Sequence, residues 1–242
     1  MKKMFVGGML VLAILIGYKI INQTENRVEN QELKIEVSPT KAEVKIEVKK
    51  IEIKNFPFTV QAPNGDWGNP IFQDGCEEAS TLMIKCALNS DLCLVKSGVI
   101  DKEWAAAEII RISGWEKETY GSSTDTSAKD TAKRLLGDIN YEVKELKSSE
   151  ELKNGVWIFP MDGRKLGNPY YTAPGPERHM ILVIGYDSAT DEVITNDAGT
   201  KRGKGYRYDR KIFWEAIRDY PTGDHEPIIG IEKKGILISG GE

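Results

Sequence analysis

The chain has 242 residues, with 37 acidic and 33 basic side chains and a formal net charge of −4. That balance excludes the basic excess expected of a nucleic-acid binder, and no glycine motif of the kind that cradles phosphate is present. Three cysteines leave at least one thiol unpaired, and two histidines restrict where imidazole chemistry can take place.

Lys2-Lys3 precedes an uncharged apolar run over 4–18. A run of about fifteen residues suits a signal-peptide core, while a full span needs about twenty. Lys19 as a snorkelling side chain, followed by Ile20-Ile21, extends the run towards spanning length. No small-x-small cleavage motif follows at Gly17-Tyr18-Lys19. Residues 1–21 are therefore expected to form an uncleaved signal-anchor, with a cleaved signal peptide as the alternative. The two lysines would stay inside and the rest of the chain would be extracytoplasmic, attached to the cytoplasmic membrane. Over 22–54, charges alternate with isolated valines and isoleucines, as in Lys45-Ile46-Glu47-Val48. This stretch has too little apolar and aromatic content for its own core and reads as a charged stalk. Its period-two alternation leaves open an edge strand in the later half. Residues 55–242 are long enough for one domain with a substantial core.

Within that domain the first informative segment is Gln73-Asp74-Gly75-Cys76-Glu77-Glu78-Ala79-Ser80. Ala79, Leu82, Met83, Cys86 and Ala87 recur at helical spacing. Asp74 followed three residues later by Glu77 reads as a capping box, with Asp74 as N-cap and Cys76 in the first turn. A thiol there meets the positive end of the helix dipole, which favours thiolate. The unpaired N–H groups beside it can stabilise an oxyanion on an attacked carbonyl. Glu77 and Glu78 oppose the dipole by like-charge repulsion. Cys86 and Cys93 could form a disulfide in an oxidising compartment, but two buried thiols are the expected state. No close C-x-x-C pair accompanies them, so neither zinc nor any other cofactor is expected.

Helices are predicted over 101–113 and over 127–136, the latter closed by Gly137. A strand over 141–146 and a short helix over 148–154 ending at Gly155 come next. Val156-Trp157-Ile158-Phe159 reads as a buried strand. The loop over 160–177, rich in Gly, Pro and Tyr, runs into His179 and reads either as one wall of a substrate cleft or as an ordinary surface connection. His179-Met180-Ile181-Leu182-Val183-Ile184-Gly185-Tyr186 reads as a buried strand ending in a turn at Asp187-Ser188-Ala189-Thr190-Asp191. Glu192-Val193-Ile194-Thr195-Asn196-Asp197 is its antiparallel return. Tyr206-Arg207-Tyr208 is a further strand, and Asp209 caps a last helix carrying Phe213, Trp214 and Ile217 before Pro221. Helices first and strands afterwards indicate an α+β architecture. The hairpin puts His179 and Asp197 at the far ends of paired strands, where a carboxylate can fix the imidazole tautomer. Together with Cys76 they satisfy the logic of nucleophile, base and orienting acid.

Gln61-Ala62-Pro63, the Cys76 segment, the His179 strand and Asn196-Asp197-Ala198-Gly199-Thr200 resemble the papain-like cysteine peptidases. The branch they resemble is the bacteriocin-processing (double-glycine leader) peptidase-like family. The resemblance covers 56–214. It implies a papain-like fold with N-terminal helices packed on an antiparallel sheet, and a triad carried onto Cys76, His179 and Asp197. It also implies an upstream glutamine that donates to the oxyanion. Gln61 fits the family's segment context, with an insertion over 64–72, and Gln73 is the alternative. Glu77 and Glu78 stand where many relatives carry Gly-Pro.

The leading expectation is a membrane-anchored cysteine hydrolase that cleaves amide bonds in a peptide or peptide-like substrate through a thioester. The same thioester could instead serve a cell-wall amidase, a transpeptidase or a transglutaminase. A third reading is a non-catalytic surface-binding domain on a stalk, since a fold alone never proves activity. No transporter domain is expected within these 242 residues, and any export partner is left unspecified.

Overall fold

The computed structural model describes residues 56–223, 228 and 232–239. The expected signal-anchor and stalk, residues 1–54, lie outside the described residues. No described helix is long and apolar enough to cross a membrane.

The helices come first: α1 (Pro70–Gln73), α2 (Cys76–Leu88), α3 (Lys102–Tyr120) and α4 (Ala128–Leu135), with the two-stranded hairpin β1 (Val95–Lys96) and β2 (Val99–Ile100) between α2 and α3. The strands follow as β3 (Tyr141–Glu145), β4 (Val156–Met161), β5 (His179–Asp187), β6 (Glu192–Asn196) and β7 (Lys204–Asp209). Helix α5 (Arg210–Ala216) and strand β8 (Lys234–Ile238) complete the order. The six longer strands form one antiparallel sheet in the order β3-β8-β4-β5-β6-β7. The α+β architecture expected from the sequence is present.

Strand alternation explains the layering. Ile158, Met180, Leu182 and Ile236 pack with Met83, Ile84 and Ile109 of α2 and α3. Their neighbours Trp157, Phe159, Ile181 and Val183 pack with Phe213 and Ile217 on the other face. Successive side chains point to opposite faces of a strand, so β4 and β5, covered on both, need an almost unbroken apolar run. Gly235 of β8 belongs to the same packing: a Cβ there would lie 2.2 Å from Cε1 of the Phe159 ring.

Three sequence expectations are corrected. Gly75, not Asp74, is the N-cap of α2, and no side-chain cap is made. Asp74 instead closes α1, which starts with Pro70 at its first position and Asn69 accepting the Ile71 N–H. The junction between the two helices is too tight for a side chain, since a Cβ on Gly75 would meet the Ile71 carbonyl oxygen at 2.9 Å. Cys86 and Cys93 are a disulfide with Cα atoms 5.6 Å apart, not two thiols. The turn Ser90–Leu92 after α2 folds Cys93 back onto the helix. Finally, α3 continues past position 113 to Tyr120 and stops at Gly121, which adopts a left-handed conformation (φ 85°). The capping expectation at Asp209 is met, and Ser127 and Ser148, where helices were expected to begin, are N-caps as well.

Candidate active site

Four backbone placements bring the sequence-derived residues together. Cys76 opens α2, His179 opens β5, Asp197 follows the last residue of β6, and Gln61 lies at a bend in the segment before α1. That segment is tied to the end of the sheet: Gln61 N–H donates to the Ala198 carbonyl (3.0 Å), and the Asn196 amide donates to Pro57 (3.0 Å). Gln61, Gln73, Cys76 and His179 line one pocket, closed on one side by Tyr171–Pro176 of the loop that precedes His179. The loop is thus a wall of the cleft, as its composition suggested.

Asp197 is wholly buried. Its Oδ1 is 2.8 Å from His179 Nε2 and accepts the Gly199 N–H at 2.9 Å. Its Oδ2 accepts the Tyr171 and Tyr208 hydroxyls, each at 2.6 Å, and the Asn168 amide at 3.3 Å. Burial pushes this carboxyl up, but the charge of His179 and the hydrogen bonds from His179, Tyr171 and Tyr208 outweigh it and hold it below the usual carboxylate range. Burial, then the adjacent Asp197 charge, pushes both tyrosine hydroxyls far above their ordinary value, so they stay donors. With Nε2 occupied by Asp197, Nδ1 is the imidazole nitrogen left for other chemistry. Gly199 has to lack a side chain: a Cβ there would lie 2.8 Å from His179 Cε1 and 2.9 Å from Nε2.

The nucleophile candidate has a different environment from the one the sequence suggested. Cys76 is buried, and its thiol donates to Glu77 Oε2 at 2.9 Å. Glu77 Oε1 accepts the Thr126 N–H (3.2 Å) and the Tyr220 hydroxyl (3.3 Å). Burial first, then the Glu77 charge and hydrogen bond, drive the thiol well above its ordinary value, against a lowering contribution from the Met180 N–H. The helix dipole therefore does not prevail at this position. The like-charge effect read from Glu77 and Glu78 is present, and desolvation adds to it. Behind Cys76 stand two more buried carboxyls. Glu78 is raised by burial, then by Glu77 and Glu116. Glu116 is pushed up to about 8 by burial and Glu77, against the attraction of Arg134.

Neither candidate glutamine has an idle amide. Gln61, itself buried, donates to the carbonyls of Phe72 (3.0 Å) and Gln73 (2.7 Å), and its Oε1 is buried without a partner among the described residues. Gln73 is exposed and donates to the Trp67 carbonyl at 3.0 Å. The Cys76 N–H, in the first turn, has no acceptor within the helix.

A family model described as the Peptidase_C39 like family matches residues 53–222. The chain belongs to that family. It is therefore a cysteine peptidase, a hydrolase with a peptide substrate. No curated protein matches the chain. In this Peptidase_C39-like chain, the residues missed by the sequence reading are those that hold Asp197. Tyr208 sat in a strand already recognised, and its burial beside exposed Arg207 is the period-two signal that could have found it. Asn168 and Tyr171 lie in the loop flagged as a cleft wall, where no periodicity picks out individual positions.

Glu77 provides a test of the site's electrostatics. A Gln at 77 still accepts from Thr126 and Tyr220 but carries no charge. Removing a negative neighbour lowers a thiol's pKa, so the rise of iodoacetamide reactivity with pH should move to lower pH in Glu77→Gln. Alkylation at neutral pH should accordingly become faster. An unshifted or slower profile would mean that Glu77 itself draws the proton off Cys76.

Proposed function

We propose that this cysteine peptidase acts through a Cys76–His179–Asp197 triad and that the peptidase domain works outside the cytoplasmic membrane, held by its N-terminal segment. The observation that carries the triad is the buried His179–Asp197 pair, which commits Nε2 and leaves Nδ1 for the thiol in the same pocket. In this reading His179 Nδ1 takes the Cys76 proton, and the sulfur adds to the scissile carbonyl. The Cys76 N–H and the Gln61 amide stabilise the oxyanion, Gln61 exchanging one of its carbonyl bonds for it. His179 then protonates the departing amine, leaving a thioester on Cys76. Water, deprotonated by the same imidazole, hydrolyses it and frees the thiol. Asp197 fixes the ring and balances the imidazolium.

A fluorogenic peptide panel tests the assignment. Cys76→Ala should abolish hydrolysis. Gln61→Ala should lower kcat by about a hundred- to a thousandfold with little change in KM, as expected for a group acting mainly in the transition state. Hydrolysis that survives in Cys76→Ala would refute the assignment. A kcat loss larger for Gln73→Ala than for Gln61→Ala would move the oxyanion role to Gln73.

The location rests on the apolar run over 4–18, and the Cys86–Cys93 disulfide supports it, since disulfides persist in oxidising compartments. Protease treatment of intact cells should release a soluble peptidase fragment by cutting in 22–54. A full-length chain that fractionates with cytosolic proteins and resists such shaving would overturn the location.

A further inference from the structure

The pocket that holds Cys76 and His179 does not end at His179. It shares Trp67, Thr172 and Gly199 with a neighbouring cavity of about 510 Å³, so the two form one continuous groove. This neighbouring cavity is lined by two cations, Lys201 and Arg202, together with two aromatic side chains, Trp67 and Tyr170. The Arg202 guanidinium sits over the Tyr170 ring, 4.7 Å from its centre. The Lys201 ammonium lies against Gly65, 3.3 Å from where a Cβ on that residue would stand. Among the described residues neither cation has a carboxylate partner, and no carboxylate lines either part of the groove. This is a local reversal of sign in a chain whose net charge is −4.

We propose that this end of the groove is a subsite for an acidic residue of the peptide substrate, on the leaving-amine side of the cleaved bond. The proposal rests on the peptidase reading for its direction. His179 hands its proton to the departing amine, so the part of the substrate that departs must pass His179 and then Gly199, which abuts the imidazole. Lys201 and Arg202 follow Gly199 by two and three residues. An extended chain spans at most about 3.3–3.6 Å per residue, so the Cα atoms of both residues stand within roughly 11 Å of that of Gly199, and all three residues line the same cavity. That is the reach of about three substrate residues beyond the bond. The tyrosine ring holds the Arg202 guanidinium in place before substrate arrives, which reduces the ordering cost of binding a carboxylate. Charge complementarity of this kind sets specificity more than raw affinity.

Binding measured in the Cys76→Ala protein isolates this subsite from turnover. Fluorescein-labelled peptides on one Gly/Ala frame, carrying paired Asp, paired Asn or paired Lys, are titrated by anisotropy at low salt. The Asp peptide should bind about fivefold tighter than the Asn peptide, as expected for two solvent-accessible ion pairs, and the preference should shrink as salt is raised. It should vanish in a Lys201→Gln/Arg202→Gln protein, and a Lys201→Glu/Arg202→Glu protein should prefer the Lys peptide instead. Equal binding of the Asp and Asn peptides, including no binding of either, overturns the proposal. So does an Asp preference that survives both double substitutions. Because no thiol is present, failure here leaves the peptidase assignment intact, whereas hydrolysis surviving in Cys76→Ala overturns that assignment alone.

Discussion

A carboxylate sealed from solvent has to find a protein partner for each of its lone pairs, and Asp197 does so with donors from four separate elements. His179 comes from β5, Tyr208 from β7, Asn168 and Tyr171 from the cleft loop, and the Gly199 N–H from the turn after β6. The rest of the site depends on this arrangement. It fixes which imidazole nitrogen is free, ties the cleft loop to the sheet and sets the course of the chain over Gly199. A buried polar group deprived of one partner costs about 1–3 kcal/mol, so the loop and the sheet edge are coupled through this one side chain. Gly203 shows how close the fit is: a Cβ there would fall 1.8 Å from the Asp197 carbonyl oxygen.

The nucleophile's side of the cleft is built on the opposite principle. Where Asp197 is surrounded by donors, Cys76 faces an acidic cluster formed by Glu77, Glu78 and Glu116, all buried. Desolvation raises all three carboxyls, and charge repulsion adds to it, from Asp125 at Glu77, from Glu77 and Glu116 at Glu78, and from Glu77 at Glu116. Protonation of Glu116, whose carboxyl is pushed up to about 8, relieves part of the cost of burying these charges. The thiol is raised by the same forces, so in the free protein it rests as a hydrogen-bond donor to Glu77. In the proposed mechanism the imidazole then supplies the driving force for thiolate formation, which gives the His179–Asp197 pair its weight there.

Most of the frame was legible in the sequence because it is carried by short-range patterns. Helix α2 followed from its three- and four-residue spacing, and the β5–β6 hairpin from an apolar run, a turn and an alternating return. The His179–Asp197 contact then followed from strand geometry. Other features depend on contacts between residues distant in the chain or packed in three dimensions. The Asp74 capping pattern lost to the crowding of α1 against α2, which only a glycine at 75 allows. Strand β8 lies between β3 and β4 although it follows α5, and Gly235 within it makes room for the Phe159 ring. The Cys86–Cys93 bond needed the backbone reversal at Ser90–Leu92 to be known. Tyr171 and Tyr208 gain their role only once the buried Asp197 is seen to need donors.

In the proposed reaction, carbonyl chemistry passes through a covalent thioester on Cys76, with His179 as the base. Intact-mass spectrometry after brief exposure to an activated peptide ester tests it most directly. The expected result is a single acyl adduct that maps to the Cys76 peptide, is released by hydroxylamine and forms far more slowly in His179→Ala. An adduct on any other side chain, or one on Cys76 whose rate is indifferent to His179, would contradict it.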